Sequence, residues 1–289
     1  RFDDRVTGKI SAFAPNAQVI HVDIDPAEVG KNVRVTVPIV GDAKRILHAL
    51  TAEVEQSTHT DWLKEIDELR DRHPMRPERD PGKLLPQHVI RELSDAMDGQ
   101  AVIVTGVGQH QMFAAQHFRF TEPRSWITSG GLGTMGFEVP AAMGAAFARP
   151  DKTIWSIAGD GGFQMTMSEL ATIAEHRLSV KFAILDNNSL GLVRQLQDLF
   201  YDGVQTASLY SGNPDFTKIA EAYGIWTTGV TDQAQIRDAI DGAMVADGPA
   251  IIVFKVDPEE NVYPHVPAGE TVYEMLEGPV GQDAPAWLS

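Results

Sequence analysis

Thr153-Ile-Trp-Ser-Ile-Ala158 runs into Gly159-Asp160-Gly161-Gly162, and Val180-Lys-Phe-Ala-Ile-Leu185 runs into Asp186-Asn187-Asn188-Ser189-Leu190-Gly191. Each stretch opens as a short apolar run of buried-strand length. Each ends in glycines and side-chain oxygens. A helical pattern at 166–176 lies between them, with its start expected near Met165. Strand, helix and strand in this order close as a right-handed βαβ crossover in a parallel sheet.

The same alternation continues outward. Helices are expected at 85–97, 139–148, 215–223 and 233–246, and strands at 101–105 and 250–256. Residues 1–56 read as a separate α/β piece, with a strand near Val19–Ile24 and a helix near Ile46–Val54. Residues 57–86 read as a linker: a charged helix at 61–72, then four prolines from Pro74 to Pro86. Residues 87–256 form the main domain. The tail, 257–289, is rich in Pro, Gly and Glu and is expected to be an extended surface segment or a mobile flap. The expected class is α/β: a parallel sheet with helices on both faces, preceded by part of a second α/β domain.

Composition narrows the function. The 289 residues are 43% hydrophobic and 22% charged, enough apolar material for a core. No apolar run reaches the roughly 18 residues of a membrane span. Lys and Arg number 24 against 40 Asp and Glu, a net charge of −16, which repels phosphate backbones and argues against a nucleic-acid partner. Cysteine is absent, so disulfides and thiolate metal sites are excluded. The opening Arg1-Phe-Asp-Asp-Arg5 carries no Met and no signal segment, and a strand follows within twenty residues. The chain is therefore expected to begin inside a domain of a longer protein.

Ligands of open parallel sheets gather at the carboxyl ends of strands. A third glycine-rich loop, Gly106-Val-Gly-Gln-His-Gln111, follows strand 101–105. Asp160 is a hard anionic oxygen donor. Asn187 is a neutral oxygen donor, one helix and one strand later, and so returns to the same sheet edge. One carboxylate, one carboxamide and a nearby carbonyl suit Mg²⁺, which keeps positions for water and phosphate oxygens. Glycines around Asp160 free backbone N–H groups for a phosphate. A metal-held diphosphate is the chemistry implied. Gly-Asp-Gly and Asn-Asn are also ordinary turn sequences. The rival dinucleotide fingerprint is weaker, because Gln111 stands where its third glycine belongs.

Gly159-Asp160-Gly161 followed by Asn187 resembles the metal–diphosphate motif of thiamine-diphosphate enzymes. Thr105-Gly-Val-Gly-Gln-His-Gln-Met-Phe-Ala-Ala-Gln116 and Ser129-Gly-Gly-Leu-Gly-Thr-Met-Gly-Phe137 resemble the catalytic large subunit of acetolactate synthase (acetohydroxyacid synthase). So do Arg1-Phe-Asp-Asp-Arg-Val-Thr-Gly8, Gly30-Lys-Asn32 and Val262-Tyr-Pro-His-Val-Pro267. The resemblance covers nearly the whole chain. It implies Mg²⁺ held by Asp160, the Asn187 side chain and the Ser189 carbonyl. It places Val107, Gly108, Gln109, His110, Gly159, Gly161, Gly162 and Gly191 around the diphosphate of thiamine diphosphate. It gives Gly133 a backbone contact to the aminopyrimidine, and Met135 a wedge between the cofactor's two rings. Core packing is the alternative for Met135, and a structural histidine for His110. Leu192 and Leu196 would line the substrate channel. Leu196 stands where the family usually has tryptophan, and Glu138 where it usually has glycine.

The same resemblance puts Arg1, Asp3, Arg5, Asp23, Ile24, Glu28, Gly41 and Asp42 near FAD in the complete enzyme, though Asp23 and Asp25 can equally cap a turn. It implies decarboxylation of pyruvate and condensation with a second 2-ketoacid, pyruvate or 2-ketobutyrate. A homodimer or homotetramer, a possible regulatory small subunit and a bacterial cytoplasmic location follow, with a plastid still open. The family's activating glutamate lies in another domain, and no residue here matches it. Without it the chain alone is expected to be inactive. Glyoxylate carboligase, sulfoacetaldehyde acetyltransferase and an inactive cofactor-binding piece are the alternatives.

Overall fold

A computed structural model describes residues 2–73 and 82–279. They form two compact units, 2–73 with 263–279, and 82–262. The first unit holds α1 (Asp4–Thr7), β1 (Ile20–Asp23), β2 (Val37–Val40), α2 (Ala43–Glu53) and α3 (Thr60–Arg72). β1 and β2 pair in parallel, Ile20 opposite Val37 through Asp23 opposite Val40. Asp42 caps α2 by accepting from the Arg45 amide at 3.1 Å.

The second unit runs α4 (Pro86–Met97), β3 (Val102–Thr105), α5 (Gln109–His117), β4 (Trp126–Thr128), α6 (Glu138–Ala148), β5 (Ile154–Gly159), α7 (Asp160–Thr166), α8 (Leu170–Glu175), β6 (Val180–Asp186), α9 (Gly191–Phe200), α10 (Phe216–Ala222), β7 (Trp226–Val230), α11 (Ile236–Val245) and β8 (Ala250–Lys255). Its six strands are all parallel, in the order β4-β3-β5-β6-β8-β7. The expected class is correct, with helices on both faces. Side chains alternate along β6: Ala183 and Leu185 join α4, α5 and α11 on one face, Phe182 and Ile184 join α6, α7 and α10 on the other. Phe163 of α7 packs edge-on to Phe182 at 5.9 Å and to Phe216 at 5.6 Å. Each such buried side chain contributes about 1.5–3 kcal/mol. α6 approaches the sheet closely through Ala142, Ala145 and Ala146, all buried.

Four expectations change. The helix after β5 starts at Asp160 itself, not near Met165; α7, a 3-10 turn at Met167–Glu169 and α8 follow in succession. Gly161 and Gly162 are poor helix formers, but packing of Phe163 overrides propensity. The Gly106 loop is short, because α5 begins at Gln109. β2, β4, β7 and α9 were not anticipated; β4 has three residues and β7 is polar Trp-Thr-Thr-Gly-Val. The tail through residue 279 is tied rather than flap-like. In the second unit, Val262 is buried and exchanges two hydrogen bonds with the Gln195 side chain, at 2.9 and 3.0 Å. In the first, His265 and Leu276 exchange backbone bonds at 2.9 and 2.8 Å.

Candidate functional site

β3 lies between β4 and β5. The chain leaves β3 toward one edge through α5 on one face, then returns through α6 on the other face to pair β5 with β3. The strand ends of β3 and β5 therefore flank a topological switch point, where open α/β sheets bind ligands.

Asp160 is the first residue of α7 and is 2% exposed. Its Oδ1 accepts from the Gly161 amide at 2.7 Å and its Oδ2 from Asn213 Nδ2, also at 2.7 Å. Asn213 Nδ2 reaches Asp186 Oδ1 too, at 2.8 Å, so one amide joins two buried carboxylates. Gln164 Nε2 donates to the side-chain Oδ1 of Asn213 at 3.2 Å. Lys255 neutralises Asp186. Asp160 has only neutral donors, and burial, with Asp186 adding to it, pushes its carboxyl up to about 7. A buried acid with no counter-charge beside a second acid is suited to a cation. Among the described residues no three His, Asp or Glu side chains cluster as metal ligands, so any metal here needs neutral oxygens as well.

Those oxygens lie at the end of β6. Asn187 Oδ1 accepts from the Ser189 amide at 3.1 Å, and its Nδ2 donates to Gln109 Oε1 at 3.4 Å. Ser189 is 3% exposed and pairs across a bridge with Leu209. Gly191 opens α9 against the Gln109 side chain. Beside Asp160 is a cavity of about 460 Å³, lined by Gly161, Gln164, Leu209, Tyr210 and Asn213. A Cβ on Gly161 would fall 2.3 Å from the Tyr210 hydroxyl, so a side chain there would displace Tyr210. Burial, then the Asp160 charge, raises that phenol to about 12, so it stays a donor.

From β3, Val107 and Gly108 lead into α5. Gln109 turns its side chain to Gln195 Oε1 at 2.8 Å and the Glu260 carbonyl at 3.2 Å, leaving its backbone at the helix N-terminus for a ligand. His110 is buried against Gly159, its Nε2 has no partner, and burial lowers it to about 4, so it is neutral. Gly133, at φ +76°, sits in an exposed loop where its amide donates to the Ser129 carbonyl at 3.0 Å and a Cβ would meet open space; Met135, two residues on, is half-buried. Leu192 and Leu196 share a stripe of α9 with Phe200. Asn213, Asp186, Gln164 and Tyr210 were not anticipated. Asn213 lies 53 residues from Asp160, and no local pattern marks it.

In the first unit Asp23, Gly41 and Asp42 meet at the ends of β1 and β2, where the Gly41 amide donates to the Asp23 carbonyl at 2.9 Å. Asp23 and Asp25 each cap a turn, accepting from the Asp25 and Ala27 amides at 2.9 Å. Asp3 pairs with Arg5, and Glu28 with Lys31, both at 2.7 Å. Ile24 is exposed. Arg1 lies outside the described residues.

A family model described as the thiamine pyrophosphate enzyme C-terminal TPP binding domain matches residues 106–254, which contain all three glycine-bearing strand ends. The chain belongs to the thiamine pyrophosphate enzymes. The central-domain model of these enzymes matches residues 1–50. Among relatives, the acetolactate synthase isozyme 2 large subunit of Escherichia coli (strain K12) is 44% identical over 277 residues, covering 96% of this chain and 50% of the relative. Acetolactate synthase of Mycobacterium leprae (strain TN) is 46% identical over 288 residues, 95% of this chain and 46% of the relative. Acetolactate synthase 1, chloroplastic, of Oryza sativa subsp. japonica is 41% identical over 290 residues, 96% and 45%. The chain thus spans about half the length of the relatives it matches. The stretch that matches the TPP binding domain, 106–254, lies within the second unit and contains the β3–β5 switch point.

Proposed function

We propose that the chain is the cofactor-binding part of an acetolactate synthase catalytic subunit, acting on pyruvate with pyruvate or 2-ketobutyrate as acceptor. Asp160 carries this reading: a buried carboxyl at a strand end, with neutral donors only and a second acid nearby. Similarity of 44–46% to acetolactate synthases over nearly the whole chain supports the substrate class. The donor set fits Mg²⁺ through Asp160, the Asn187 carboxamide and the Ser189 carbonyl. The amides of Gly161, Gly162 and the start of α5 suit a diphosphate. Bound thiamine diphosphate supplies the carbanion chemistry at its thiazolium carbon. The chain's own residues bind and orient. Gln109 ties the β3, β6 and 260–261 loops together, and Asn213 fixes the Asp160 carboxylate. Leu192 and Leu196 give the substrate side an apolar wall that limits water.

The first unit is proposed to take FAD through Asp23, Gly41 and Asp42, as part of a homodimer or homotetramer with a possible regulatory small subunit. No helix among the described residues is long and apolar enough to cross a membrane. A bacterial cytoplasmic location is proposed, with a plastid as the alternative.

Titration calorimetry with thiamine diphosphate tests the metal assignment. The chain binds it with Mg²⁺ present, and Asp160→Ala removes that binding. Equal affinity in the variant, or in excess chelator, contradicts it.

A further inference from the structure

Glu138 is the group left unused. It opens α6, yet it is 0% exposed, and no side chain bonds its carboxyl oxygens; only the backbone amides of Gly136 and of Glu138 itself act on them. Its carboxyl lies between two glycines: a Cβ on Gly106 would fall 2.3 Å from Oε2, and one on Gly162 would fall 2.5 Å from Oε1. Gly106 ends β3 and Gly162 lies in the first turn of α7. Glu138 therefore fills the crevice of the switch point itself, against the backbone expected to cradle the diphosphate. Leaving a buried carboxyl unpaired costs stability even when it is neutral. The side-chain or ligand partner it lacks belongs on the ligand side, because the carboxyl faces Gly106 and Gly162. Ionised, the carboxyl would repel a diphosphate. With its proton it complements one, because phosphate oxygens only accept hydrogen bonds. Burial favours the protonated form and pushes this acid up to about 7, although the nearby Gly136 and Glu138 amides pull the other way.

We propose that Glu138 is a cofactor-contacting residue whose protonated carboxyl donates a hydrogen bond to the bound diphosphate. This rests on the thiamine-diphosphate reading above and adds a contact to it. No covalent step is involved, and the proton stays on the carboxyl.

The test uses the full 289-residue chain with Mg²⁺ and two probes, thiamine diphosphate and inorganic pyrophosphate, by titration calorimetry. Glu138→Ala should weaken both probes by about tenfold, the loss of one hydrogen bond to a charged group. Glu138→Gln keeps a neutral donor of the same length and should stay within about threefold of the parent for both probes. Circular dichroism melting establishes that each variant is folded; if Glu138→Ala is not, Glu138→Met, which keeps the length and cannot donate, takes its place with the same expected loss. Parent-like binding by the Ala variant overturns the proposal. So does a Gln variant as weak as Ala, because the group would then act as an anion. A loss confined to thiamine diphosphate also overturns it, because the contact would be to the rings. Failure of the parent chain to bind either probe sinks the thiamine-diphosphate reading instead, and Asp160→Ala reports on that reading separately.

Discussion

At the residue scale, a single amide nitrogen on Asn213 spans Asp160 and Asp186, and Lys255 takes up only the second acid. Glu138 has only the backbone amides of Gly136 and Glu138 itself acting on it. In the folded chain it holds its proton up to about pH 7, against an ordinary value of 4.5. The folded state thus binds more protons than the unfolded state between those values, and stability falls as pH rises through the window. The loss is on the order of 3 kcal/mol once pH exceeds 7. Asp160 acts in the same direction while no metal is bound. Urea midpoints measured without metal between pH 5 and 8 should fall for the parent and fall distinctly less for Glu138→Gln. Parallel curves would show that Glu138 does not carry the proton.

Among the elements, α9 carries both the anchor of the 260–262 segment and the proposed substrate-side leucines. Arg194 and Gln195 are buried and grip the 260–262 segment. Leu192, Leu196 and Phe200 lie on a separate stripe, and Leu196 is 36% exposed. The family resemblance puts tryptophan at Leu196, as a stacking face for planar sulfonylurea and imidazolinone inhibitors. Leucine removes that face, a loss of about 0.5–1.5 kcal/mol beyond area burial. The acetolactate synthase proposed above should therefore resist these inhibitors, and Leu196→Trp should tighten inhibition by about tenfold. The same variant should raise the preference for 2-ketobutyrate. Inhibition constants and product ratios unchanged by tryptophan would place Leu196 outside the channel.

For the molecule as a whole, the central question is what this chain does by itself. Its loop Gly131–Thr134 is exposed, and Leu132 is 90% exposed. None of its residues matches the family's activating glutamate, on which proton removal from the cofactor depends. Residues 1–289, expressed alone, should bind thiamine diphosphate with Mg²⁺ yet make no acetolactate from pyruvate. A colorimetric acetolactate assay showing normal turnover would refute this.

The sequence by itself determined the layered α/β class, because short runs such as Val180–Leu185, apolar except for Lys181, alternate with helical patterns, and that order closes as parallel βαβ units. It also marked the loops around Asp160 and Asn187, since glycines and oxygen donors at strand ends are local signals. It left β4 and β7 unread: β4 has only three residues, β7 is interrupted by Thr-Thr-Gly, and both are edge strands that take their structure from the neighbour they pair with. Only the tertiary structure brought Asn213 to Asp160, and only it placed the Glu138 carboxyl between Gly106 and Gly162. Both depend on strand order and on which face each crossover takes. Those are set by packing across the whole sheet, which no local pattern encodes.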